Sequence, residues 1–153
     1  MTSPKHGEVF ARLRKALTEY VRHHSDCEIE YQTDDRLLLR FGAPNGRSSL
    51  LAMVGWFELY AGLASGWDYE ALEDDRDVER VLAICDAILS GRGVSISGPN
   101  GYPARAWLFL NSRGFKQAMT STTVSIRSCR RARSIGKSAW RREKLPVLTS
   151  TTA

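Results

Sequence analysis

The chain has 153 residues, of which 42% are hydrophobic and 25% charged, and it carries a formal net charge of +5. This composition excludes a fully disordered chain, and the length is typical of one domain that folds without disulfides or zinc. The three cysteines are far apart and form no Cys-x-x-Cys pair. That spacing indicates a reducing compartment, and we expect the cytoplasm. The sequence has no uninterrupted apolar run of about 18 residues, so we expect no membrane contact.

The first predicted element is an amphipathic helix over residues 8–24, where apolar side chains recur at three- and four-residue spacing. Polar and apolar residues then alternate over 27–32, which predicts a strand with one wet face. A second strand is predicted over 36–41. The Thr-Asp-Asp sequence between them is typical of a turn, so we expect these two strands to pair as a hairpin.

An apolar run over residues 48–57 predicts a central third strand. Gly55 interrupts this run, and an isolated glycine inside a strand indicates a bulge. Residues 58–63 fit a fourth strand, a continuation of the third strand or a short helix. A second helix is predicted over 75–90, because carboxylates precede a strongly apolar face and the helix dipole favours negative charge there. Two further short strands are predicted over 94–97 and 104–111.

Neighbouring strands joined by short turns predict an α+β fold. We expect a small antiparallel sheet of about four to six strands, with the N-terminal helix and the second helix packed on one face. Past about residue 119 no regular periodicity continues. We therefore assign a single α+β domain to residues 1–119 and predict that residues 120–153 form a basic, disordered tail.

Charge divides the chain even more sharply than hydrophobicity. Residues 1–111 hold 12 Lys and Arg against 16 Asp and Glu, a balance of −4. Residues 112–153 hold 10 Lys and Arg and a single acid, Glu143. The basic net charge therefore belongs to the C-terminal part, and the predicted domain is mildly acidic. Translation in a shifted reading frame is a second explanation of the change, and the encoding DNA would test it.

No motif in the chain indicates a cofactor, a metal or a catalytic residue. His23 and His24 are adjacent, and neighbouring helical residues point about 100° apart, so they do not face one metal. The glycines of residues 91–98 follow a predicted helix and enter a strand, which is the reverse of a phosphate-binding loop. An enzyme is therefore the less favoured interpretation, and we predict no cofactor.

Aromatic and acidic residues concentrate between Trp56 and Glu79. Interfaces enrich Trp and Tyr, because these side chains bury a large area at a small entropic cost. The pattern favours a non-enzymatic protein-binding module of the immunity, antitoxin, chaperone or adaptor type. The predicted partner is another protein, held on an acidic, aromatic-rich surface. Its predicted residues are Trp67, Asp68, Tyr69, Glu73, Asp74 and Asp75.

The alternative function is nucleic-acid binding through the basic C-terminal tail. Lys and Arg that neutralise phosphates release counterions, so such binding is nonspecific and sensitive to salt. A tryptophan among these cations would stack on a base. The predicted residues are Arg130, Arg131, Arg133, Trp140, Arg141 and Arg142.

Overall fold

The computed structural model describes residues 4–42, 48–60, 70–97, 104–123 and 141–144. Within these residues two helices and nine strands form the predicted α+β fold. The helices are α1 (Pro4–His23) and α2 (Asp75–Leu89). The strands are β1 (Cys27–Gln32), β2 (Arg36–Phe41), β3 (Ser48–Met53), β4 (Trp56–Tyr60), β5 (Glu70–Ala71), β6 (Gly93–Ser97), β7 (Ala104–Ser112), β8 (Phe115–Thr123) and β9 (Arg141–Lys144). Neither described helix has the length and apolarity that crossing a membrane requires.

Strands β1 to β5 form the first sheet, antiparallel throughout and in chain order. Because side chains alternate across a strand, paired residues share a face. In the three central strands one face is fully apolar and buried, apart from Ser48. Its buried hydrophobic residues are Leu37, Leu39, Phe41, Leu50, Ala52, Phe57 and Leu59. The hairpin predicted for β1 and β2 is confirmed with the predicted bounds.

The apolar run of residues 48–57 is a hairpin of two strands, so the prediction of one long third strand is wrong. Met53 pairs with Trp56, which leaves only Val54 and Gly55 in the turn. Gly55 has a φ of 93°, a conformation that favours glycine, and its carbonyl accepts the N–H of Leu72 at 3.0 Å. Gly55 therefore reverses the chain, and the bulge predicted there is absent. A register irregularity lies instead in β1, after Ile29.

The remaining strands form a second sheet in the order β8-β7-β6-β9. Strand β8 continues from β7 through a two-residue turn at Arg113 and Gly114, whose φ values are 53° and 82°. Positive φ at both positions is characteristic of a type I′ hairpin turn. The nine described strands thus make two sheets, where the sequence predicted one. Three of them, β5, β8 and β9, were not predicted.

Two described segments fall inside the predicted tail. Residues 120–123 complete β8, and β9 pairs antiparallel with β6. Residues 124–140 and 145–153 lie outside the described residues. The domain boundary at 119 and the disordered tail therefore stay predictions.

Helix α2 lies at the centre of the packing and contacts both α1 and β7. Its residues 81–89 are all buried except the half-buried Asp86, so this part of the helix has no solvated face. Helix α1 contributes a single buried stripe at the predicted spacing. That stripe consists of Val9, Phe10, Leu13, Leu17 and Tyr20.

Candidate binding surfaces

The acidic start of α2, residues 73–75, is organised first by the helix itself. Asp74 is the N-cap, and its Oδ1 accepts the backbone N–H of Asp77 at 2.9 Å. In return, Asp77 Oδ2 accepts the N–H of Glu73 at 2.8 Å and that of Asp74 at 3.3 Å. This reciprocal capping box satisfies amides that the first turn leaves without helical partners. The capping box therefore accounts for two carboxylates of this region.

The other carboxylate oxygens of the acidic start have fewer hydrogen-bond partners. Asp75 Oδ1 accepts a hydrogen bond from Arg12 Nε at 2.6 Å, which joins α2 to α1. Glu73 is exposed, and its carboxylate has no partner among the described residues. Oδ2 of Asp74 and Oδ2 of Asp75 likewise have no described partner. Within one turn, several exposed carboxylate oxygens can therefore accept hydrogen bonds from a cationic side chain.

The aromatic part of the predicted protein-binding surface is only partly described. Trp67, Asp68 and Tyr69 lie outside the described residues. Of the earlier aromatic pair, Phe57 is buried in the core and Trp56 is half-buried. The structure therefore brings Glu73, Asp74 and Asp75 together, and the aromatic contribution stays a prediction.

Most of the predicted nucleic-acid site lies outside the described residues, namely Arg130, Arg131, Arg133 and Trp140. Arg141 and Arg142 are the first residues of β9, where they pair with Ser97 and Ile96. These two residues thus belong to the edge strand of the second sheet. The sequence pattern did not indicate a strand there, because residues 141–144 are all charged and carry no alternation of polar and apolar side chains.

A polar cluster around Asp86 was missed by the sequence reasoning. Asp86 Oδ1 accepts the hydroxyl of Tyr20 at 2.8 Å. Its Oδ2 accepts the hydroxyl of Ser112 at 2.9 Å and Arg113 Nε at 3.0 Å. Arg113 Nη1 also lies 3.4 Å from a carboxylate oxygen of Glu79. The Asp86 side chain of α2 thus links α1 to the β7–β8 turn.

The electrostatics of this cluster favour a structural role. Burial raises the pKa of Tyr20, and the neighbouring Cys85 and Asp86 raise it further, so the phenol stays protonated and donates. Burial lowers the pKa of Arg113, but its contacts with Asp86 and Glu79 outweigh this and raise it overall. The raised pKa values therefore keep Tyr20 and Arg113 in the protonated forms that donate hydrogen bonds. The available signal was Asp86 itself, the lone charged residue within the apolar stretch 81–89.

The histidines at the end of α1 make local contacts. His23 Nε2 lies 3.1 Å from a carboxylate oxygen of Glu19, one helical turn earlier. The His24 ring stacks on Tyr20 with 3.9 Å between centroids, and His24 Nδ1 lies 2.8 Å from the Tyr20 carbonyl oxygen. The described residues contain no cluster of three or more side chains suited to hold a metal ion.

The buried thiol of Cys27 gives a pH-dependent prediction. Burial, together with the nearby Asp26, raises the pKa of Cys27 from its ordinary value of 9.0 to about 11. Only the thiolate is alkylated. In the native protein the rate of iodoacetamide modification at Cys27 should therefore reach half of its maximum near pH 11. In concentrated urea the same rate should reach half of its maximum near pH 9.0.

Mass spectrometry of the cysteine peptides would measure these rates separately for each thiol. A native rate at Cys27 that is half-maximal near pH 9.0 would contradict the raised pKa. The raised pKa of Cys27 also makes the stability of the folded state depend on pH. Cys27 favours the folded state fully below pH 9.0, and this contribution is lost as the pH rises through about 11.

No family model, curated protein or solved structure matches this chain. The surfaces of the described residues, beginning with the acidic start of α2, are therefore the basis for proposing a function.

Proposed function

We propose that this protein is a non-enzymatic binding module that holds a basic protein partner on the acidic start of α2. A role of the immunity, antitoxin, chaperone or adaptor type would fit such a surface. The supporting observation is the set of exposed carboxylate oxygens on Glu73, Asp74 and Asp75 that have no described partner. Because the capping box fixes the backbone beneath them, little backbone conformational entropy is lost when a partner binds.

Two of these three acids also stabilise the fold, and one does not. Asp74 is needed as the N-cap, and Asp75 holds Arg12, so changes at either residue affect folding as well as binding. Glu73 has neither duty through its side chain. Glu73 is therefore the position at which partner binding can be tested with the least effect on the helix.

The test is binding of a fluorescently labelled peptide of alternating lysine and arginine to the full chain, followed by anisotropy. Glu73→Lys should raise the Kd about fivefold or more, because it replaces attraction with repulsion at an exposed site. The matched control is Glu28→Lys, at an exposed carboxylate on β1 with no described partner. The control should change the Kd by less than about twofold. Equal effects of the two variants would show a general charge effect and contradict the proposal.

A second candidate is nucleic-acid binding through the basic C-terminal segment. It is favoured by β9, which brings Arg141 and Arg142 to the edge of a folded sheet. Binding of this kind relies on phosphate contacts, so its affinity falls steeply between low and moderate salt. Its partner is an acidic polymer, whereas the acidic start of α2 requires a basic one.

A further inference from the structure

The second sheet has one face packed in the core and one face turned away from it. Along β7, Leu108 and Leu110 are buried. Of the residues that alternate with them, Trp107 is half-buried and Phe109 is exposed. Phe109 is 44% exposed, and it is one of two large hydrophobic residues classed as exposed among the described residues. We call the side that carries Trp107 and Phe109 the aromatic face. The two residues are about 7 Å apart along the strand.

Strand register extends the aromatic face across the whole sheet. Trp107 pairs with Val94, which pairs with Lys144 of β9. Arg105 pairs with Ile96, and Ile96 pairs with Arg142. Paired residues occupy the same face, so basic positions accompany the aromatic ones from edge to edge. The basic positions in this set are Arg105, Lys116, Arg142 and Lys144.

The same register shows where the acids fall. In the described strands of the second sheet, no acidic residue shares the alternate set that holds Trp107 and Phe109. Glu143, the one acid of β9, pairs with Ser95 and so belongs to the opposite set. Single exposed apolar residues are common and indicate nothing by themselves. Phe109 differs from such a residue because basic positions, and no acidic ones, share its alternate set in the second sheet.

This combination matches the chemistry of a single-stranded nucleic acid. Unpaired bases present flat faces that stack on aromatic side chains, while Lys and Arg contact the phosphates that connect them. A duplex offers the phosphates but keeps its bases stacked inside. A surface that combines exposed rings with cations on a sheet therefore favours single strands over duplexes.

We propose that the aromatic face binds single-stranded nucleic acid, with Phe109 and Trp107 stacking on bases and the basic positions contacting the backbone. This surface is separate from the acidic start of α2 and does not rest on the protein-binding proposal. It extends the second candidate function, because it places the base contacts on the folded sheet instead of on Trp140. RNA and single-stranded DNA share this chemistry.

The experiment measures anisotropy of labelled 12-nucleotide probes with the full chain: oligouridine RNA, oligothymidine DNA and a DNA duplex of equal length. Single strands should bind more tightly than the duplex. Phe109→Ala should raise the single-strand Kd about tenfold, as expected for the loss of one stacked base, and Phe109→Tyr should stay within about twofold. Binding of the RNA alone or of the DNA alone would support the proposal and identify the source.

Matched controls separate stacking from general charge and from folding. Tyr31 on β1 is 42% exposed on the first sheet, so Tyr31→Ala should leave the Kd unchanged. The triple variant Arg130→Ala, Arg131→Ala, Arg133→Ala should lower the salt dependence and leave the effect of Phe109→Ala in place. Glu73→Lys should not weaken binding, which keeps this test independent of the acidic site. The proposal is overturned by no binding, by duplex binding of equal strength, or by equal effects of Phe109→Ala and Tyr31→Ala.

Discussion

Replacing Phe57 by alanine is expected to lower the free energy of unfolding by about 4 kcal/mol. Phe57 is 0% exposed and lies on β4, where it pairs with Ala52 of β3 and Glu70 of β5. Removing the ring loses the favourable free energy of burying it and leaves a cavity at the centre of the first sheet. The backbone around it is held by strands on both sides, so little collapse of the cavity is expected.

Urea denaturation followed by circular dichroism measures this effect, provided that the m value is unchanged. Phe109→Ala is the matched control, because it removes the same side chain from an exposed position of the second sheet. That variant should change the free energy of unfolding by less than about 0.5 kcal/mol. A loss below about 2 kcal/mol for Phe57→Ala would contradict the assignment of Phe57 to the core.

Replacing Asp86 by alanine is expected to cost about 3 kcal/mol of stability. The carboxylate accepts hydrogen bonds from Tyr20, Ser112 and Arg113, and without it these donors have no compensating acceptor. The side chain of Asp86 is 21% exposed, so some of the loss is recovered by water. Arg113 has a positive φ, and its contact with Asp86 helps to hold the β7–β8 turn in that conformation.

Glu79→Ala is the control for this prediction. Glu79 contacts the same guanidinium, but at 3.4 Å and from a more exposed position. Its removal should therefore cost less than about 1 kcal/mol. Both variants would be measured by urea denaturation at pH 7. Equal losses for the two variants would show that Asp86 does not organise the cluster.

The two proposed surfaces would select partners of opposite charge. The acidic start of α2 offers carboxylate oxygens without described partners, and the aromatic face offers rings among basic positions. The net charge of +5 describes neither surface, because it averages a mildly acidic N-terminal part and a basic C-terminal part. Binding experiments on this chain are therefore informative only when salt and probe charge are both varied.

Local patterns in the sequence were sufficient for the elements whose signals are contained within a few residues. The spacing of apolar residues predicted both helices, and the carboxylates before α2 predicted its start at Asp75. Alternation and a Thr-Asp-Asp turn predicted the β1–β2 hairpin with its observed bounds. The acidic residues Glu73, Asp74 and Asp75 were likewise visible in the sequence, although the capping by Asp74 and the contact of Asp75 with Arg12 depend on the folded structure.

The features that the sequence did not reveal depend on partners distant in the chain. The turn at Gly55 lies inside an apolar run. Both strands that it joins bury one face, and no polar residue marks the position of the turn, so the sequence pattern did not predict it. Strand β9 consists of charged residues and exists through its pairing with β6. The Asp86 cluster joins residues 66 and 26 positions apart in the sequence. Composition, helix periodicity and local turns are properties of neighbouring residues, whereas strand pairing and buried hydrogen bonds are decided only when the chain brings distant residues together.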